Sequence, residues 1–255
     1  MKKKNKPKGI VYLVVLVILV VVGLYWQGRY NTTSVVPETP KEETAKSLPE
    51  ISIGTENIKE ENFSGTRPTI SSTNAVAVAT RTYIEERVKE FKTTADIDVP
   101  DMREKFGADS PTANYTIDIS ATEVQSEKTQ SIVMSIYTYT GGANGHSSFK
   151  VITASSVDGK ILSLENIIKK DRQIDFANFV KKDLKAWRPE GSTESVVFED
   201  EVKNLNFDSF VNWSLDDKNL ILYFDKYQIG PGALGAVAFS LKLEKIKNYL
   251  EPVFY

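Results

Sequence analysis

The chain has 255 residues, 41% of them hydrophobic and 10% aromatic, which suits a globular body with a sizeable core. Its net charge of −2 is unevenly spread: residues 1–30 hold Lys2, Lys3, Lys4, Lys6, Lys8 and Arg29 and no acid, leaving residues 31–255 with 26 bases against 34 acids, a balance of −8. That sign argues against a nucleic-acid partner, and the absence of cysteine removes disulfides, thiolate nucleophiles and sulfur-ligated zinc or iron.

Residues 9–26 (GIVYLVVLVILVVVGLYW) carry no charge and are mostly Val, Leu and Ile. As a helix this segment rises about 27 Å, close to the roughly 30 Å hydrocarbon core of a bilayer. Tyr25, Trp26 and Tyr30 stand where an interfacial aromatic belt would be, and the preceding lysines place the tail, residues 1–8, in the cytoplasm. A cleaved signal peptide fits less well, because the apolar run is long and no small-x-small site follows it. The expectation is one transmembrane helix with everything after it outside the cytoplasm. No cysteine is present to form disulfides there, which fits a bacterial surface. The Asn-x-Ser/Thr triplets at Asn31, Asn62, Asn114 and Asn212 are then chance matches.

A linker is expected over 27–64. Its first part, NTTSVVPETPKEETAKSLPE over 31–50, is rich in Thr, Glu, Lys and Pro and cannot bury enough surface to offset its ordering entropy. Regular structure should begin between Ile51 and Ile70. From Asn74, a good N-cap, Ala77, Thr80, Ile84, Val88 and Phe91 recur at helical spacing with charged residues between them, which predicts a helix over 74–92. Tyr115, Ile117 and Ile119 alternate with Thr116, Asp118 and Ser120, the period of a half-buried strand. Strands are also predicted over 130–140 and 147–157, separated by GGANGH, with a tight turn at Asp158-Gly159 leading into 160–162.

Ser163 can cap a short helix over 164–169. A longer one is expected over 173–187, with Ala177, Val180, Leu184 and Trp187 on one face and Pro189 and Gly191 ending it. A further helix near 194–205, a hairpin of 207–213 with 220–224 around Asp216-Asp217, a loop over 230–235, a strand over 236–241 and a closing helix over 244–250 complete the pattern. The fold class is α+β: an antiparallel sheet with helices packed on one side, preceded by the single transmembrane helix.

Chemistry has little to work with. His146 is the only histidine, and its neighbours Gly145 and Ser147 suggest an exposed turn where no buried acid would orient it. Asp96, Asp98 and Asp101 begin like a calcium loop, but Asp101 stands where the pattern needs glycine and Gly107 where it needs glutamate. Glu199, Asp200 and Glu201 read as a solvated acidic face. No phosphate-binding glycine loop, dinucleotide fingerprint, nucleophile elbow or HExxH occurs. No enzyme activity, metal or cofactor is expected from these residues.

Three stretches together carry a resemblance: Arg67 to Phe91, the run YTYTGGANGHSSFKVITASSVDGKILSLENIIK from Tyr137, and Asn212 to Leu250 around FDKYQIGPGALGAVAFSLKLEKIKNYL. In this order they resemble the extracytoplasmic region of RsiV-like anti-sigma factors, a pair of bacterial envelope domains of unknown function also found with a peptidoglycan deacetylase. The resemblance implies an ectodomain with an N-terminal part over 65–125 and a C-terminal part over 126–255, and an envelope binding or sensing role with lysozyme or peptidoglycan as partner. Two departures stand out: Asn144 replaces the family's histidine, with His146 following Gly145, and Gly230-Pro231-Gly232 replaces an Ala-Pro-Tyr-like sequence. No sigma-factor partner is expected, because only residues 1–8 precede the span.

The ligand-binding candidates are therefore Tyr227, Gly230, Pro231, Gly232 and Gly235 in one loop, and Gly141, Gly142, Asn144 and His146 in the other. Glycine-rich loops leave backbone groups accessible, Pro231 lowers the entropy lost on ordering, and Tyr227 is an aromatic anchor of the type interfaces favour. The alternatives are a cell-wall hydrolase or deacetylase using His146 and surface acids, and a passive structural module of the envelope.

Overall fold

A computed structural model describes residues 50–255 apart from Asp109. Among them no helix is long and apolar enough to cross a membrane; the tail, the expected span over 9–26 and the linker before residue 50 lie outside the described residues. The fold is α+β with sheets that are mostly antiparallel.

The first strand falls inside the stretch expected to be linker, at the near end of the 51–70 window where regular structure is expected to begin. β1 (Ser52–Lys59) pairs antiparallel with β2 (Phe63–Ser71). β1 reads as polar because it is an edge strand: Ile58 faces inward while most of its neighbours face solvent, and Ile51 just before it is buried. Few apolar residues suffice for such a strand, so its composition resembles that of a linker.

Helix α1 (Ala75–Phe106) starts where expected, with the Asn74 side chain accepting from the Ala77 N–H at 2.8 Å. It runs well past residue 92, and the reason is in its buried face: Ala95 and Val99 continue the four-residue spacing from Phe91, so the helix stays seated despite Pro100. β3 (Tyr115–Gln125) follows a 3-10 turn at Pro111–Ala113, and β4 (Thr129–Tyr139) and β5 (His146–Ser155) complete a sheet in the order β1-β2-β3-β4-β5. The β2–β3 pairing is parallel, since α1 carries the chain back to the starting end of the sheet. The sheet is thus mixed.

The second half is assembled from shorter pieces. Ser163 and Asn166 cap a single 3-10 turn, Leu164–Asn166, where a short α-helix was expected. α2 (Gln173–Ala186) buries Phe176, Ala177, Val180 and Leu184 as the spacing predicts. The helix near 194–205 shrinks to α3 (Glu199–Asn204). Residues 207–209 form a 3-10 turn instead of a strand, because Asn206 and Ser209 bond each other's backbone N–H at 3.1 and 3.0 Å. The hairpin therefore begins later, as β6 (Trp213–Leu215) and β7 (Asn219–Phe224) around an Asp216 turn, and β8 (Val237–Lys242) completes a three-stranded antiparallel sheet. The closing helix is the short α4 (Leu243–Ile246).

Two cores result, one drawing on Ile51 to Ala154 around α1 and the large sheet, the other on Leu164 to Leu250 around α2 and the small sheet. The two long helices thus serve different sheets and do not cover one side of a single sheet as expected. β4 and β5 are laddered to β3, so the large sheet continues past residue 125. The small sheet packs on the face of β4 and β5 opposite α1: Thr129 Oγ1 donates to Leu215 O at 3.2 Å and Thr153 Oγ1 to Trp213 O at 3.0 Å. Asp118 and Ser120 of β3 remain exposed, the wet face that their alternation predicts.

The outer edge of β5 is closed by the second half. Asn212 accepts from Val151 N–H at 3.1 Å and donates to Phe149 O at 2.9 Å, imitating one residue of a neighbouring strand. Asp225 accepts from Phe149 N–H at 2.8 Å, and Leu162 N–H donates to Thr153 O at 2.8 Å. A strand edge that would otherwise recruit another chain is thereby satisfied internally. Asn212 is buried in this role, with its amide nitrogen already committed to Phe149 O.

Candidate functional site

The two loops singled out in the sequence meet. The first links β4 to β5. Gly141 has φ +84°, and a Cβ there would collide with the Thr112 carbonyl, so glycine lets the loop press against the 3-10 turn before β3. A Cβ on Gly145 would collide with the ring of Tyr137, which lies on that glycine.

The second loop leaves β7 through a turn at Asp225. Asp225 N–H donates to Gln228 Oε1 at 2.8 Å and Gln228 N–H to Asp225 O at 3.0 Å. Between them Tyr227 adopts φ +72°, the one non-glycine residue with positive φ among the described residues. This conformation is disfavoured for a side chain of that size, by roughly 1–2 kcal/mol. The Tyr227 ring lies against Gly232, where an added Cβ would clash with it.

Lys226 joins the loops. Its N–H donates to Ser147 O at 2.9 Å, its Nζ donates to Gly145 O at 2.7 Å, and the same Nζ lies 5.1 Å from the centre of the Tyr227 ring. The result is a continuous strip, Tyr137–Gly145–Lys226–Tyr227–Gly232, with the two tyrosines 40% and 56% exposed.

Gly142, Asn144 and His146 stand at the exposed rim of this strip, His146 as the first residue of β5 opposite Thr138 and not on the turn itself. Gly230 is not on the surface: it is buried, with Leu234 and the Val196 carbonyl at the position a Cβ would take. Pro231 and Gly235 bracket a half-buried 3-10 turn, Gly232–Leu234. The second loop is therefore a packed platform, not a bare projecting finger. Sequence reasoning missed Tyr137 and Lys226. Tyr137 reads as one more strand aromatic, and only its exposure beside a glycine-rich loop hints at another role. Nothing local marks Lys226.

The acids do not converge. Asp96 accepts from Asn62 at 3.0 Å and pairs with Lys92 at 3.3 Å, Asp98 accepts from the Tyr115 hydroxyl at 3.4 Å, and Asp101 pairs with Lys105 at 2.6 Å. All three lie on α1, and hydrogen bonding from Asn62 holds the Asp96 carboxyl below its ordinary value. Among the described residues no group of three or more His, Asp or Glu side chains is placed to hold a metal ion. A groove of about 440 Å³ runs between β5 and segments 161–165 and 207–211, lined by Val151, Thr153, Leu162, Phe207, Phe210 and Val211; none of the expected residues touches it.

Known proteins bear on this geometry in three ways. The family described as "Protein of unknown function (DUF3298)" matches residues 165–244, the stretch holding α2, the small sheet and the Tyr227 loop. Peptidoglycan-N-acetylmuramic acid deacetylase PdaC of Bacillus subtilis (strain 168) is 26% identical over 184 residues, 68% of this chain and 36% of that protein. The chain thus spans about a third of the length of that relative. Two crystal structures of DUF3298 family members share the fold. The one from Bacteroides fragilis covers 82% of this chain and 98% of its own, and the one from Pseudomonas aeruginosa covers 81% and 95%; each has a TM-score of 0.56 at 16% identity.

Proposed function

We propose that this chain is a non-catalytic binding and sensing domain of the bacterial cell envelope, held at the membrane by the apolar segment 9–26 with its body outside the cytoplasm. The observation that carries the reading is the Lys226 junction. It brings two loops that lie 81 residues apart onto one surface and sets two exposed aromatic rings on it. Exposed aromatics on fixed backbone are what binding surfaces favour. Similarity to part of a peptidoglycan deacetylase supports an envelope setting. The RsiV-like resemblance supports lysozyme or peptidoglycan as the partner.

The test is capture of lysozyme and of purified peptidoglycan by the full chain and by its Lys226→Ser variant. Retention of a partner by the parent chain and its loss in the variant is expected; capture of neither ends the binding reading. His146→Ala separates the enzymatic alternative, since a binder keeps its partner and a histidine-dependent hydrolase or deacetylase loses turnover. Protease added to intact cells should remove the body, and full protection would reverse the proposed orientation.

A further inference from the structure

We infer that the joined-loop surface takes a neutral, N-acetylated amino-sugar chain, with Tyr137 and Tyr227 each stacking on a pyranose face; this rests on the binding reading above and specifies its ligand. The first ground is ring placement. Each ring lies against a glycine, so its orientation is set by backbone contact, and the residues stay 40% and 56% exposed, which leaves ring surface to meet a ligand. A supported aromatic face is electron-rich, and it complements the polarised C–H groups that line one face of a pyranose.

The second ground is the backbone of Tyr227. A positive φ at a tyrosine is unfavourable by itself, and glycine at this position would avoid it. What tyrosine adds is a ring lying on Gly232 beside Lys226. Strain kept at an exposed aromatic points to use of that ring.

Charge is the third ground. The body's balance of 26 bases against 34 acids disfavours phosphate-rich wall polymers and leaves an uncharged chain unaffected. Lys226 Nζ gives one N–H to Gly145 O and has others to offer an acetamido carbonyl or a hydroxyl between the rings. A deacetylated chain lacks the acetamido carbonyl that this ammonium can bond. The surface therefore distinguishes acetylated from deacetylated glycan.

The experiment titrates the full chain, in a non-glycosidic detergent, with an N-acetylglucosamine oligomer. Affinity is followed by calorimetry and contact by saturation transfer to ring protons and acetyl methyls. Tyr137→Thr keeps a strand-compatible residue and Tyr227→Gly keeps the positive φ, so both should fold with unchanged circular dichroism. Each is expected to weaken binding about tenfold, and the pair to abolish it. Glycan binding that ignores both substitutions overturns the inference, as does equal affinity for a phosphate-rich teichoic acid or for the deacetylated oligomer. If lysozyme binds in a tyrosine-dependent way and the glycan does not, the ligand assignment falls and the binding reading stands. If neither binds, both fall.

Discussion

Between Ile51 and Ser155 most residues belong to five strands and a 32-residue helix, whereas from Leu162 onward the longest element is the 14-residue α2 and much of the chain is turn. The two regions hold themselves together differently. In the first, long ladders pair the backbone and an aliphatic layer of Ile117, Ile119, Ile132 and Met134 fills the space under α1. In the second, backbone ladders are short and the weight shifts to aromatic packing: Phe176 meets Phe207, Phe210 and Tyr249 edge-on at 5.8 to 6.3 Å. Side-chain caps from Asn166, Asn206 and Asp216 take up backbone groups that a longer helix or strand would have paired. A region of the second kind depends more on individual side chains, and it can be unsettled by a single truncation.

Phe176→Ala tests that difference most severely. It empties the centre of the second core and should cost about 3–5 kcal/mol. Because Asn212 and Asp225 bind β5, the thermal transition should remain single; two resolved transitions would show that the regions fold independently. Asn212→Ala cuts this connection. It leaves Val151 N–H and Phe149 O without their partner in a buried place, a loss of about 2 kcal/mol. In chemical denaturation its transition should broaden as the halves begin to separate, and an unchanged midpoint would mean the edge contact is incidental.

A smaller effect is expected in the regular half. Asn74→Ala removes the cap of α1 and should cost about 1 kcal/mol, measured by denaturant midpoint, since the long buried face holds the helix regardless. Smaller still is Tyr227→Gly. Relief of the positive φ, roughly 1 kcal/mol, offsets the lost contacts of the ring with Gly232 and Lys226, so melting should hardly move. At the junction of the halves, Asp158 is held down to about 2, chiefly by hydrogen bonding with Lys160. Its folded value lies below the ordinary carboxylate value, so its contribution is complete above about pH 4 and is lost as pH falls through about 2. A carboxyl resonance titrating near 4 would contradict the turn geometry.

Legibility followed the same line between regions. Asn74, the Ala77-to-Phe91 spacing and the Tyr115–Ser120 alternation are local patterns, and each became the element it announced. The end of α1 is not legible locally, because the spacing that stops at Phe91 does not announce the burial of Ala95 and Val99, and that burial carries the helix on. β1 was hidden by being an edge. Residues 207–212 read as strand until the Asn206 cap is seen to close a turn, a choice between two local hydrogen-bond schemes that composition does not rank. At the candidate site, Tyr227 and the two glycine-rich loops were visible, and Gly230 was misread as surface because a glycine's lack of side chain looks the same in a loop tip and in a tight contact.

By itself the sequence determined the charge balance, the absence of sulfur chemistry, the α+β class and the places where glycine permits unusual backbone. These are properties of composition and of neighbours along the chain. Only the tertiary structure decided that the long helices serve two different sheets, that Asn212 acts as a surrogate strand residue for β5, and that Lys226 ties Gly145 to the Tyr227 turn. Such contacts depend on where two chain segments arrive in space, and the hydrogen bond from Lys226 to a carbonyl 81 residues away leaves no trace in the pattern around either residue.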